Sequence, residues 1–514
     1  MANRFIPAMI LNINKKYLKN TDSVIAALIG ACTVHLFTKY SGVGVSPDSI
    51  MYASTAHNIY THSSLMTFNG GPLVFFPVFY PAFLSFFLLI TGGTSTITAA
   101  PIINGLLFGA VIFTSGYIIS KFSTKSLIYK WLILLTIILS PGLLEIYTYL
   151  WSETLFIVEV VLFPVLFRQY IIKHTTKSLL WVCLLTAIAC ITRYIGVTLI
   201  LTGGLMLLLD RQLPMRKKIY HILLFGFASI SFLVVNLIVN RLSSGLSTGT
   251  REPSITPLGK NLYNTGCVYS DWMGLPQSMH QYAITISCII LLFLVGLIIC
   301  RFFKGNLNTP EGVITTFAAI YGIFLPVLAT FSRFEPLNSR LMSPVFVCML
   351  IGVTCWVPDL LKDIKLSKQL SLAIQYIFLM LLFEYSIAAT DYQRYDDEND
   401  YGVPGYTDDD WNGKPFITFL KTHPDIYKPG VPKYTDADEA VYFFTGGMAK
   451  LLPHRYFTNT VQQFYTVKHY YLIWFNALNN PELIGLQDIR KKEKLKLLYQ
   501  FPEGAVYEYN ASDK

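Results

Sequence analysis

Apolar residues fall in long uninterrupted runs along this chain, not in the alternating or 3.6-residue patterns of a water-soluble fold. Runs near residues 23–40, 97–120, 131–149, 154–172, 219–240, 281–300, 312–331, 341–357 and 369–390 approach or exceed the roughly 18 residues that cross a bilayer as a helix. Residues 179–209 form a longer stretch, interrupted by Thr192-Arg193-Tyr194, and read as two short crossings turning near Arg193. One more run, residues 73–90, starts Gly-rich and contains Pro77 and Pro81. It reads as a helix lying in or dipping into the membrane interface. The pattern predicts an α-helical polytopic membrane protein with about 11 transmembrane helices plus that interfacial helix.

From residue 391 the pattern changes. Residues 391–410 are acidic and rich in Gly and Asp, as in a linker. Residues 411–420 read as a short helix, and residues 440–444, 470–475 and 505–509 as strands. These elements predict a small C-terminal extracytoplasmic α/β domain, residues 391–514. The transmembrane domain is then residues 1–390, with residues 41–96 as its first outer loop.

Composition agrees. The chain is 53% hydrophobic and only 14% charged, with a mean hydropathy of +0.47, whereas soluble domains carry about a quarter charged residues. The net charge of +9 does not point to nucleic acid. The tail from Asp391 holds 14 Lys/Arg against 18 Asp/Glu, and the preceding residues hold 26 against 13. Membrane proteins keep such a basic excess in their cytoplasmic loops. A cytoplasmic N-terminus, with Arg4, Lys15, Lys16 and Lys19, puts 19 of the 26 on that side, Lys121, Lys125 and Lys130 among them. It leaves the C-terminal domain on the periplasmic or extracytoplasmic face of the cell (inner) membrane. No cleavable signal peptide is evident in the first 20 residues. Seven of the eight cysteines lie in or near apolar runs, so no disulfide framework or cysteine metal site is expected.

Ionisable groups beside membrane spans are the candidates for chemistry. On this topology Asp48, Glu145, Glu153, Arg193, Arg333, Glu335 and Arg340 lie at outer ends of crossings, with Glu159 and Glu384 somewhat deeper. A carboxylate can take the proton of an attacking hydroxyl. Arginine grips a phosphate leaving group in a two-pronged way. A second carboxylate could orient the acceptor or help hold a divalent metal ion. Each residue also has a structural alternative. Asp48 follows Ser46-Pro47 and could simply sit in a helix cap. Glu153 could complement a helix dipole. Arg193 could mark a turn or pair with Glu159, and Arg340 could be a snorkelling flank. Tyr52 and Tyr194 read as interface aromatics. His57 and His62, five apart, do not share a helix face, so a metal pair is not expected.

The order Ser46-Pro47-Asp48…Tyr52, then Pro72…Pro77…Tyr80-Pro81, then Trp151-Ser152-Glu153-Thr154-Leu155-Phe156, then Thr192-Arg193-Tyr194-Ile195-Gly196, resembles the GT-C class of membrane glycosyltransferases. It is similar in particular to bacterial protein O-mannosyltransferases and the lipid A aminoarabinose transferase. The resemblance covers roughly residues 20–350. It implies inverting transfer of a sugar from a polyprenyl-phosphate-linked donor to a hydroxyl of a lipid, protein or glycan acceptor at the outer face. Asp48 would be the base, supported by Glu153, with Arg340, Arg193 and Arg333 as donor-phosphate ligands. Tyr52, Pro77, Tyr80 and Tyr194 would line the path of lipid and acceptor. Many relatives have two adjacent acids at the first site, whereas Ser49 follows Asp48 here, which weakens any metal assignment. Two other classes fit the composition: a lipid-linked saccharide transporter or flippase, and a non-catalytic envelope scaffold.

Overall fold

The computed structural model describes residues 20–121, 126–333, 335–362, 364–476, 478 and 480–513. Arg4, Lys15, Lys16, Lys19 and Lys125, used above to orient the chain, lie outside the described residues. The fold is mostly helical, with one small sheet. It divides into two compact units. One comprises Met1–Lys39, Val74–Tyr80 and Ala99–Asp397; the other comprises Tyr40–Leu73, Pro81–Thr98 and Glu398–Lys514.

The first unit is a helical bundle. Six described helices are long and apolar enough to cross a membrane: Thr96–Ile119, Glu153–Lys173, Met215–Ser244, Gln277–Phe303, Pro310–Phe331 and Leu366–Tyr401. A seventh span results if Leu127–Ile138 and Pro141–Thr148, bent by 50°, count as one. That bend follows from the sequence. Ser140 caps the second helix through Leu143 N, and Pro141 occupies its first turn. Thr21–Phe37, Thr176–Thr192, Tyr194–Leu209 and Ser339–Thr354 are shorter apolar helices. Each expected crossing therefore has a helical counterpart.

The long helices differ in environment. Glu153–Lys173 and Pro310–Phe331 are largely covered by protein, whereas Met215–Ser244 and Leu366–Tyr401 leave apolar side chains such as Phe227, Val235, Leu370 and Phe378 exposed. Apolar residues on both the inner and outer surfaces of a bundle fit a lipid surround. Small residues let backbones approach. A Cβ on Gly105 or Gly109 would lie 3.2 Å from the carbonyls of Ala31 and Ala27, so Thr96–Ile119 packs on Thr21–Phe37 along a small-residue stripe. Lys130, read above as a flanking charge, is instead buried, bonded to Asp22 Oδ2 and Ser23 Oγ at 2.7 Å each. A buried ammonium persists because both partners replace its water.

The structure corrects several expectations. The proline-rich helix begins only at Phe79 and runs to Ile90. Pro72 and Pro77 donate no backbone N–H and push their predecessors out of the α region. The acidic run after Asp391 is no linker at first, because Leu366–Tyr401 continues through it to Gly402, whose φ is +91°. Between the apolar runs at 219–240 and 281–300 the chain forms a further helix, Leu258–Trp272. It packs against the next span at Gly266, where a Cβ would lie 1.8 Å from Ala283 O.

The second unit holds a five-stranded sheet: β1 (Lys433–Thr435), β2 (Lys450–Leu451), β3 (His469–Phe475), β4 (Lys496–Gln500) and β5 (Gly504–Asn510), in the order β2-β1-β3-β5-β4. β1 runs parallel to β2 and β3, while β5 is antiparallel to β3 and β4. Alternation sorts the residues of β3 and β5. Ile473, Phe475 and Val506 enter one core, and Tyr470, Leu472, Ala505, Tyr507 and Tyr509 enter the other. The expected strand at 440–444 is instead the helix Asp438–Thr445. Its buried residues Ala440, Val441 and Phe444 share one helical face, its acids begin the first turn, and Gly446 at φ +66° ends it. A short apolar run fits helix or strand by periodicity alone. The expected helix 411–420 is split at Gly413 into Asp409–Asn412 and Pro415–Thr422.

Candidate active site

Three of the candidate residues meet inside the bundle. Glu153 opens its helix and is fully buried. Arg193 is the residue where the chain leaves Thr176–Thr192, in extended conformation (φ −146°, ψ 137°). That break aims its guanidinium sideways. Arg193 Nη1 lies 2.6 Å from Glu153 Oε2 and 2.8 Å from Ser152 Oγ. Arg340 stands in the first turn of Ser339–Thr354, which Asn338 caps through Leu341 N. Its Nε donates to Glu153 Oε1 at 2.9 Å. Each oxygen of one carboxylate thus holds a different arginine.

Arg340 also lies over the Trp151 ring at 4.1 Å, and Trp151 stacks on Tyr149 at 4.1 Å with 12° between planes. Stacking and the ion pair together fix the guanidinium. The three side chains sum to one positive charge, and guanidinium groups side by side form an anion-binding chemistry. An anionic oxygen is the complementary ligand. Glu145 feels both Arg394 and Arg340, and Arg394 itself donates to Pro141 O and Thr148 Oγ1 at 3.1 and 2.9 Å.

The other bundle candidates sort as follows. Glu159 accepts from Thr192 Oγ1 at 2.8 Å, so Arg193 pairs with Glu153 and not with it. Glu384 accepts from Thr136. Arg333 pairs with Glu252, a separate contact. Tyr194 donates to Val74 O at 3.1 Å, Arg251 donates to Phe75 O at 3.2 Å, and Val78 N donates to Asn236 Oδ1 at 3.3 Å. These bonds pin the irregular segment around Pro77, where the backbone has no helix of its own to satisfy it. Tyr80, at the end of that segment, is fully buried within electrostatic reach of Glu153.

Asp48 belongs to the second unit. It follows Pro47 in the first turn of Pro47–His62, where a reciprocal Ser46–Ser49 capping box holds the helix start. Asp48 is half-buried, and Tyr52, one turn on, is buried. Within the same unit this helix packs on Asp438–Thr445 through a core that includes Ile50, Phe68, Ala440 and Val441. That contact brings Asp48 toward two carboxyls, Asp438 and Glu439. Burial, then Asp438, then Asp48 push Glu439 up to about 8. Burial also raises Asp438, whose partners include Asn69. At neutral pH this acid pair retains a proton.

Four further features were not among the sequence candidates. Trp151 was quoted only as part of a motif. Ser152 braces Arg193. Arg394 is the lone base in the acidic run 391–400. Asp438-Glu439 gave a signal as adjacent acids just before an apolar run. Among the described residues no group of three or more His, Cys, Asp or Glu comes together to hold a metal ion.

No protein-family model and no curated protein matches this sequence. Solved structures do match. ArnT from Cupriavidus metallidurans in the apo state aligns at TM-score 0.55 and 11% identity, covering 98% of this chain and 99% of that one. The same protein bound to undecaprenyl phosphate aligns at 0.57 and 10%, covering 94% and 96%. The archaeal oligosaccharyltransferase AglB from Archaeoglobus fulgidus, in complex with an inhibitory peptide and a dolichol-phosphate, aligns at 0.54 and 11%, covering 90% and 70%. The chain therefore shares the fold of these solved structures.

Proposed function

We propose that this protein transfers a sugar from a polyprenyl-phosphate-linked donor to an acceptor hydroxyl at the outer face of the membrane, with inversion. The observation that carries the reading is the buried Glu153 gripped by Arg193 and Arg340, an assembly with one surplus positive charge. The structures of similar fold bound to undecaprenyl phosphate and dolichol-phosphate support a lipid-phosphate donor. In this reaction Asp48 takes the proton of the acceptor O–H, and the oxygen forms a bond to the anomeric carbon. The bond from that carbon to the phosphate oxygen breaks on the opposite side. Polyprenyl phosphate leaves, its negative charge met by Arg340 and Arg193. Glu153 orients both arginines. The acceptor is a lipid, protein or glycan hydroxyl.

The same proposal takes residues 1–390 as the transmembrane domain, with eleven crossings and a cytoplasmic N-terminus. Residues 41–96 are its first outer loop, and residues 391–514 the extracytoplasmic domain. The positive-inside bias of the sequence supports this orientation. Tyr194, Pro77 and Tyr80 line the donor's lipid path, and Tyr52 supports Asp48. Arg333 is the third candidate phosphate ligand, paired with Glu252 apart from the Glu153 cluster.

The test is transfer by the purified protein in nanodiscs, with polyprenyl-phosphate sugars as donors. Wild type forms product and Asp48→Asn does not. Undiminished transfer by Asp48→Asn overturns the base assignment, and lipid movement without bond cleavage points to a flippase.

A further inference from the structure

The second unit contains an open cleft of about 400 Å³, lined by Tyr40, Ser41, Tyr406, Thr407, Asp409, Asn412 and Phe443. Asp48, Glu439, Glu153 and the arginines above do not line it. We infer that this cleft binds a neutral sugar ring of a glycan. The inference does not rest on the transfer reading, because binding needs no donor.

The cleft is a constructed feature of the fold. Residues 41–45 and 403–407 are joined by Val403 N to Ser41 Oγ (2.9 Å), Thr407 Oγ1 to Val43 O (2.8 Å) and Tyr406 N to Val45 O (2.9 Å). The approach is so close that only glycine fits at 405. Its φ is +131°, and a Cβ there would lie 2.6 Å from Val45 O. Asn412 is locked by its bonds to Tyr406 O and Asp408 O at 3.0 and 2.9 Å. Tyr406 is held among Trp411, Phe443 and Phe444 at ring separations of 5.0–5.9 Å. A wall fixed in advance loses little entropy on binding, and the volume lies in the range of small-ligand sites.

The chemistry of the wall selects the ligand. Tyr40, Tyr406 and Phe443 offer aromatic surface, onto which the C–H face of a pyranose packs. At the rim, Tyr40 OH donates to Asp409 Oδ2 at 2.8 Å. The pair therefore presents a phenol oxygen and a second carboxylate oxygen side by side. With its proton given to Asp409, that pair offers acceptor oxygens, while Ser41 Oγ, which accepts from Val403 N, has an O–H to donate. A sugar hydroxyl both donates and accepts and uses both kinds of group, whereas an ammonium group uses acceptors only. Asp408, Asp409 and Asp410 are consecutive, answered nearby by Lys414 and Lys421. The excess negative charge disfavours phosphate or uronate groups. A neutral glycan meets these conditions and a lipid phosphate does not.

The experiment applies the full-length protein, in nanodiscs and without donor, to an array of neutral hexose oligosaccharides, phosphorylated and uronic oligosaccharides, and a Lys/Arg-rich peptide. Wild type retains neutral oligosaccharides. Asp409→Ala and Tyr40→Ala each lower that retention at least tenfold while leaving thermal unfolding unchanged, since both side chains are exposed. Tyr40→Phe, which keeps the ring and removes the hydroxyl, falls between. Absence of retained neutral glycans, retention by both alanine variants undiminished from wild type, or preference for the anionic glycans or the peptide each overturns the inference.

Discussion

The two units handle buried carboxylates in opposite ways. In the bundle, Glu153 is fully enclosed and answered by two guanidinium groups. In the sheet-bearing unit, Asp48, Asp438 and Glu439 gather on the first turns of two packed helices, and the surplus negative charge is relieved by a retained proton. Compensation by cations sets two guanidinium groups side by side, a chemistry that suits an anionic oxygen. Compensation by a proton gives an assembly that changes with pH and can accept a proton. Both halves of the proposed transfer, anion stabilisation and proton removal, thus have matching surroundings.

The comparison can be broken at either end. The largest effect is expected from Asp48→Asn, which removes the proposed base; transfer should fall on the order of 10²–10⁴-fold, read as kcat with donor binding little changed. Next is Arg340→Ala. It leaves Glu153 with one fewer cation and should cost about 3 kcal/mol in stability, read from the apparent Tm. Transfer should fall on the order of a hundredfold. Adding Glu153→Gln to Arg340→Ala should recover part of the lost stability, because the uncompensated charge is gone. No recovery in that double variant would mean that Arg340 acts through packing on Trp151.

A smaller loss, about 2 kcal/mol, is expected for Gly405→Ala in the other unit, from backbone strain at φ +131° and the clash with Val45 O. Thermal unfolding measures it. A further effect concerns pH. Glu439 takes up its proton at about 8 when folded, against an ordinary value of 4.5. Between those values the folded state binds more protons, so stability falls as pH rises across the window. Glu439→Gln should flatten that fall between pH 5 and pH 8. An equal fall in both proteins would show that Glu439 loses its proton at an ordinary carboxylate pH.

Much of the bundle was legible because an apolar run of sufficient length has few alternatives. Even the breaks at Ser140-Pro141 and at Arg193 announced themselves through proline and an interrupting charge. The pairing of Arg193 was not legible. Glu153 and Glu159 lie on one helix, both acidic, and only the extended backbone at Arg193 decides which is reached. Arg340 meets Glu153 across 187 positions, a distance that no local pattern encodes. The helix at 438–445 was missed because five consecutive apolar residues satisfy strand and helix equally. Its glycine stop at 446 carried the information. Asp48 was readable as a capped acid, but its acidic neighbours arise from a segment 390 positions later.

The division of the chain has a consequence for its synthesis. The polypeptide passes from one unit to the other five times, at 39/40, 73/74, 80/81, 98/99 and 397/398. Residues 40–73, which carry Asp48, wait for 398–514 before their unit is whole. A ribosome that stalls in the bundle, or a transcript cut before residue 398, releases a product whose Asp48 segment has no finished core to dock on. The protein is therefore built so that its early acid stays unassembled until its last strands emerge, and quality control of premature fragments should see them as unfolded.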